Sequence, residues 1–433
     1  RAQAQYANVV AAELYERALA AAEQLPELPV AEVVPVLEAL GDVATLFAGY
    51  ELAEFAYRRA LDPAAGAFVA RTRLMRKIGV TAERLGRREE GLTWFDRALG
   101  ELDAAEGEPG ALANRVELEI AYAGSLYYQS RYDECIRWAE EAVRHAEQAD
   151  LDSEIAHACY ILSLASAQAG RPEPRYHERA LEIYERTGEL VGHGVLLNNL
   201  GLEAFEAYRW DEALERYTRA AGLSERAGDV TNVARVHVNE ADVLAERGLL
   251  DGAEQRLWEA LRVWRAASYP LAIAITSSNL GRVLARAGRG EEARGLLREA
   301  RTMFTELGNQ AWAAEATARI AEAHVVGGEH REALEAGSSA LEEAKAAGAP
   351  PVLEAMIERL IGYALVQGRR PDEAGAHFGR SLELARGLGA DLEIALTLKA
   401  MADTSLAGPE AARESEGILA RLGVVSLPRI PLP

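Results

Sequence analysis

At 433 residues the chain exceeds what one compact core usually organises, so it divides into domains or is built from repeating units. Its formal net charge of −21 argues against a nucleic-acid backbone or an anionic membrane surface as partner, because both are held by clustered Lys and Arg. Hydrophobic residues make up 49% of the chain, many of them alanine, which suits close helix packing; no run reaches the roughly eighteen apolar residues of a membrane span.

In chain order, residues 1–29 predict a partial N-terminal repeat, with Ala11, Tyr15 and Ala18 at second-helix spacing. Arg1–Val10 has no signal-peptide architecture and there is no initiator Met, so the sequence reads as a fragment or a processed product. Over 30–102 one pattern occurs twice. Gly41 is followed by Ala53, Tyr57 and Ala60, and Gly79 by Gly91, Phe95 and Ala98, at offsets of +12, +16 and +19. Residues 103–112 are the longest polar insertion and predict a loop, possible as a hinge between halves.

From 113 to 390 the pattern resumes with Ala123, Cys135, Ala139 and Ala142. A copy near Ser163 is irregular: Pro172 and Pro174 occupy its turn, and its second helix is expected to start late, towards Ala180. Regular copies follow at Gly201/Ala213/Tyr217/Ala220, Ala241/Ala253/Leu257/Ala260, Gly281/Ala293/Leu297/Ala300 and Ala321/Ala333/Gly337/Ala340, in steps of 40 residues. A later one reads Gly362, Ala374, Phe378 and Ser381. Residues 391–423 predict terminal capping helices. The tail 424–433 carries three prolines, which exclude a helix, so it is expected to be disordered or to lie extended against something.

Self-similarity on this scale predicts an all-α solenoid of helix–turn–helix units. Small residues at +0, +12 and +19 let helices approach closely, and the larger residue at +16 fills the space between them. Gly86, Gly170, Gly248, Gly288 and Gly328 fall where helices should end. Acidic pairs such as Asp211–Glu212, Glu291–Glu292 and Asp372–Glu373 suit the positive end of a helix dipole. No run of alternating β-branched residues argues for a sheet.

The pattern resembles the tetratricopeptide family, whose usual unit of about 34 residues is shorter than the step here. Long-unit arrays of this kind look like those of kinesin light chains, bacterial peptide-pheromone receptors and the sensor regions of signal-transduction ATPases. The resemblance covers roughly residues 30–390. It implies a right-handed superhelix whose first helices line a concave groove. On that face Asn199, Asn239 and Asn279 recur at one position, two residues before the small +0 site, with Arg319 next in the series. Asn198, Arg235, Asp242 and Arg282 lie on the same expected face, with Glu206, Glu246, Arg286 and Glu322 around them. Asparagines at this position often contact bound peptides in the family, and an amide has both donors and an acceptor for a peptide backbone. The residues leave open a second reading, in which the asparagines bond one another across adjacent helices and set the superhelical twist.

No Walker loop, His-Glu-x-x-His pair or nucleophile elbow occurs, and the eight histidines have no metal-ligand spacing. Neither a catalytic residue, a metal nor a cofactor is expected. Cys135 and Cys159 make no disulfide framework; Cys135, at a position where other repeats place Ala or Gly, predicts a buried, reduced thiol, with the cytoplasm as default compartment. The sequence therefore predicts a non-catalytic module binding a protein or peptide, without nucleic acid or membrane. The run Glu414–Gly423 is similar to the C-termini of multidomain bacterial regulators, which implies a sensor region coupled to an upstream ATPase or cyclase domain. The alternative is a free-standing scaffold or peptide-pheromone receptor.

Overall fold

The computed structural model describes residues 2–25, 29–46, 49–62, 64, 67–104, 107–267 and 269–433. Among these residues there are 21 α-helices and no strand. The chain forms two compact units, residues 1–196 and 197–433.

The first unit contains α1 (Ala2–Ala22), α2 (Val30–Leu46), α3 (Tyr50–Leu61), α4 (Phe68–Arg84), α5 (Arg88–Ala104), α6 (Ala111–Tyr128), α7 (Tyr132–Gln148), α8 (Asp152–Gln168) and α9 (Pro174–Thr187). Its boundary falls inside α10 (Leu190–Glu206). The second unit continues with α11 (Trp210–Ala227), α12 (Val230–Glu246), α13 (Leu250–Ala266), α14 (Pro270–Arg286), α15 (Gly290–Glu306) and α16 (Gln310–Gly327). It ends with α17 (His330–Ala347), α18 (Pro351–Gln367), α19 (Pro371–Leu388), α20 (Asp391–Asp403) and α21 (Pro409–Leu422). No helix among the described residues is long and apolar enough to cross a membrane.

Helix length accounts for the forty-residue step. α14 and α15 each have 17 residues, and three-residue connections, 287–289 and 307–309, follow them. The unit is longer than the usual one because its helices are longer, while its turns stay short. Gly248, Gly288 and Gly328 close first helices at φ of +79°, +80° and +75°, a left-handed geometry that glycine adopts without steric penalty. The acidic pairs sit in the first turns of α11, α15 and α19.

Two local expectations change. α9 begins at Pro174, six residues before Ala180, because proline at the first helical position has its φ preset and needs no N–H partner there. Between α5 and α6 the helices extend through Ala104 and from Ala111; Gly107–Gly110 is described connection, and Ala105 and Glu106 lie outside the described residues.

The core lies between first and second helices, and the repeated small residues form it. Ala213, Ala220, Ala253, Ala260, Ala293, Ala300, Ala340 and Ala374 are fully or almost fully buried, as are Tyr217, Leu257, Leu297 and Phe378 at +16. A β-carbon at Gly201 would stand 2.5 Å from Tyr217 Cε1, and one at Gly362 would stand 2.5 Å from Phe378 Cε1. Where +0 is alanine, as at Ala241 and Ala321, the +16 residue shrinks to Leu257 or Gly337. Each aromatic +16 residue, Tyr57, Phe95, Tyr217 and Phe378, faces a glycine at +0, whereas Gly281 takes Leu297, so a glycine admits a ring there without requiring one.

Candidate functional site

In the second unit the first helices carry their polar residues on one wall, and the forty-residue step stacks them into a network. Asn239 Nδ2 on α12 donates to Asn198 Oδ1 on α10 at 2.9 Å. Asn198 Nδ2 reaches Asn199 Oδ1 at 3.5 Å. One repeat on, Asn279 Nδ2 donates to Asp242 Oδ1 at 2.9 Å, and Arg319 donates to Asn279 Oδ1 at 2.7 Å and to Ser278 Oγ at 2.8 Å. Arg319 also pairs with Glu315 at 2.6 Å.

A second chain of charges runs beside the first. Arg282 pairs with Asp242 at 2.8 Å and with Glu246; Arg286 pairs with Glu246 at 3.0 Å and with Glu322 at 2.8 Å. Arg282 clasps two carboxylates of α12, and Arg286 bridges Glu246 on α12 to Glu322 on α16, so the charges of three successive first helices are joined. Asn198, Asn279, Arg282, Arg319 and Glu322 are buried, whereas Arg235 is exposed and donates to Asn232 Oδ1 at 3.2 Å. Glu206 is exposed at the end of α10.

Desolvation is the largest influence at Asp242, Glu246, Arg286 and Arg319. It pushes the Asp242 carboxyl up against the pull of Arg282 and Arg319. At Glu246 it also pushes upward, but Arg286 and Arg282 together outweigh it and hold the carboxyl at about 2. Burial lowers the Arg319 guanidinium, while Glu246 and Glu322 overcome the same effect at Arg286 and raise it. Buried ions persist here because each has at least one opposite charge or amide in contact. Glu322 Oε2 and Arg282 Nε are buried without a hydrogen-bond partner among the described residues.

The second unit curves back on itself. The Tyr208 hydroxyl bonds to the backbone of Leu392, and Leu392 and Leu396 of α20 share a cavity of about 60 Å³ with Glu246, Arg286, Glu322 and Arg359. Ser426, Leu427 and Pro428, beyond α21, complete its lining.

Sequence reasoning missed three features. Arg359 and Glu393 form a buried pair at 2.5 Å between α18 and α20. Arg359 lies three residues before Gly362, as Asn198 lies three before Gly201, so its register was legible. In the first unit Glu38 on α2 accepts from Arg73 at 2.7 Å and from Lys77 at 2.7 Å on α4, and the Arg73 bond contributes most to holding its carboxyl at about 2. The third is the course of the tail, which no periodicity encodes.

The sequence profile described as tetratricopeptide repeat matches residues 274–307, which span most of α14 and all of α15. Both units have the fold of an α-solenoid of tandem tetratricopeptide-like helix pairs. The chain is similar to a solved Signal Transduction ATPase with Numerous Domains carrying a tetratricopeptide repeat sensor, from Pyrococcus horikoshii, at 15% identity and a TM-score of 0.55. That likeness covers 79% of this chain and 55% of the other, so the repeats span about half of that protein's length. The chain is also similar to the apo form of RapI, at 13% identity and a TM-score of 0.58, over 83% of this chain and 99% of RapI. A comparison with curated protein sequences finds no match. At these identities the likeness establishes the tetratricopeptide fold.

Proposed function

We propose that the chain is a non-catalytic recognition module that binds a protein or an extended peptide along the first-helix wall of its second unit, as the sensor region of a larger bacterial signalling protein in the cytoplasm. The observation that carries this reading is the concentration of buried charge on that wall, with Glu322 Oε2 and Arg282 Nε left without a partner among the described residues. Packing alone favours apolar side chains at such positions, since buried ion pairs are often no more stabilising than well-packed hydrophobic residues. A wall of alternating sign suits a peptide that presents both donors and acceptors. In this reading Asn198, Asn199, Asn239, Asn279 and Arg319 hold the wall's geometry and offer their remaining capacity to the ligand, Asp242 and Arg282 supply charge, and Arg235 is the exposed cation at its edge.

The sensor assignment draws on the likeness to the repeat sensor of the Pyrococcus protein. By that analogy an ATPase or cyclase domain joined to the array would be its output. A free-standing receptor is the second reading, and the almost complete coverage of RapI favours it.

The test is selection of a displayed random-peptide library against the purified chain, with enriched peptides titrated against wild type and Arg235→Glu. We expect Arg235→Glu to weaken binding about tenfold with an unchanged helical spectrum. Enriched peptides that bind both forms equally would remove this wall from the account.

A further inference from the structure

The segment after α21 has the composition of a flexible tail, with prolines at 428, 431 and 433, yet it follows a defined path. Val425 N–H donates to the Arg247 carbonyl at 2.9 Å, and Ser426 Oγ donates to the Gly248 carbonyl at 2.8 Å. Both acceptors lie in the turn that ends α12, where helix carbonyls lack intrahelical partners. Farther on, Ile430 packs against the apolar cluster shared by α16 and α18. Gln367 Nε2, at the end of α18, donates to the Pro431 carbonyl at 3.0 Å and to the Val325 carbonyl at 2.7 Å. Pro431 lies so close to the α16–α17 turn that a β-carbon at Gly328 would meet its Cγ at 3.3 Å. Between these anchors Leu427 and Pro428 stand over Glu246, Arg286, Glu322 and Arg359.

This is how an extended peptide is held: backbone groups fix the register, and one aliphatic side chain, Ile430, enters apolar ground. The grip is narrow, for Val425 is 66% exposed and Ser426, Arg429 and Pro431 are exposed too. The segment also limits access. Beneath it the cavity is about 60 Å³, whereas ligand pockets typically measure about 300–1,000 Å³. Leu427 and Pro428 line this cavity with Glu322 and Arg359, so a ligand entering from the tail side meets the segment first.

We propose that Val425–Pro431 is a resident ligand of the second unit. It occupies a peptide-docking track formed by the ends of α12, α16 and α18, and a partner peptide of the same chemistry, extended, aliphatic and proline-bearing, binds by displacing it. This rests on the recognition reading above and names its ligand class and its gate. Tethering gives the segment a high effective concentration, so it excludes a competitor without tight intrinsic binding. If it is seated in about nine molecules of ten, external peptide binds about tenfold more weakly than to an open track.

The test uses the full chain and a labelled synthetic peptide with the sequence of residues 424–433. Leu427→Glu with Ile430→Glu releases the strap by changing only tail side chains, leaving the repeats intact. We expect the peptide to bind this variant at least tenfold more tightly than wild type, and Gln367→Ala added to the variant to weaken that binding. In wild type, excess unlabelled peptide should speed hydrogen exchange at the Val425 amide. Equal affinity for wild type and released variant, or no binding to the released variant, overturns the proposal. The library-selected peptides separate the two readings. If they bind wild type and released variant equally yet still depend on Arg235, the groove stands and the strap falls. If the tail peptide behaves as expected while Arg235→Glu is silent, the track stands and the wider groove reading falls.

Discussion

Asn239 Nδ2 lies 2.9 Å from Asn198 Oδ1, so two amides 41 residues apart in sequence join consecutive first helices. The same wall repeats the device through Asn279, Asp242 and Arg319 with different partners. A row of identical residues thus becomes a row of cross-repeat bonds.

The Asn pair predicts a specific non-additivity. Asn239→Leu alone leaves Asn198 Oδ1 buried without its donor and should destabilise the second unit by about 1–3 kcal/mol. Asn198→Leu with Asn239→Leu should lose less than the two single changes together. Urea denaturation of the four proteins measures the coupling, and additive losses would show that the bond carries no stability.

The close approach of Gly201 to Tyr217 sets two effects against each other. Alanine in place of a mid-helix glycine gains about 1 kcal/mol of helix propensity. A β-carbon 2.5 Å from the Tyr217 ring forces overpacking, which typically costs 1–3 kcal/mol, roughly enough to win. Gly201→Ala should therefore lower the denaturation midpoint, and Gly201→Ala with Tyr217→Leu should recover part of the loss.

The Glu246 carboxyl, held at about 2 by Arg286 and Arg282, contributes stability above the ordinary carboxylate pKa of 4.5 and loses it as pH falls towards 2. Glu246→Gln leaves both guanidiniums short of a carboxylate and should cost on the order of 3–5 kcal/mol at pH 7. The gap between wild type and variant should stay constant from pH 7 to about 5 and narrow below 4.5. Denaturation midpoints at pH 7, 5 and 3 test the sign; a gap that widens on acidification would contradict it.

Burial pushes the Cys135 thiol up to about 12 and Cys159 up to about 11. Since the thiolate is the reactive form, folded protein at pH 8 should react with a thiol reagent about 100-fold more slowly than protein in denaturant. Native labelling as fast as that of the unfolded chain would place either thiol at the surface.

The sequence by itself determined the repeat. Periodic small residues, the larger +16 partner and turn glycines are local requirements of helix packing, and each leaves its mark at a fixed offset. It also placed Asn199, Asn239 and Asn279 on the first helices, because residues spaced by one repeat fall on equivalent turns. Only the tertiary structure decided what those side chains touch. Whether Asn239 faces a ligand or Asn198 depends on the rotation and spacing of neighbouring helices, which no offset encodes. The start of α9 at Pro174 was a local feature misread, since proline at a first helical position favours the helix that it would break farther in. The path of residues 424–431 lay beyond the sequence for a stronger reason. The segment has no periodicity of its own, and its partners at Arg247, Gly248, Gly328 and Gln367 come together only once the repeats have curved back on themselves.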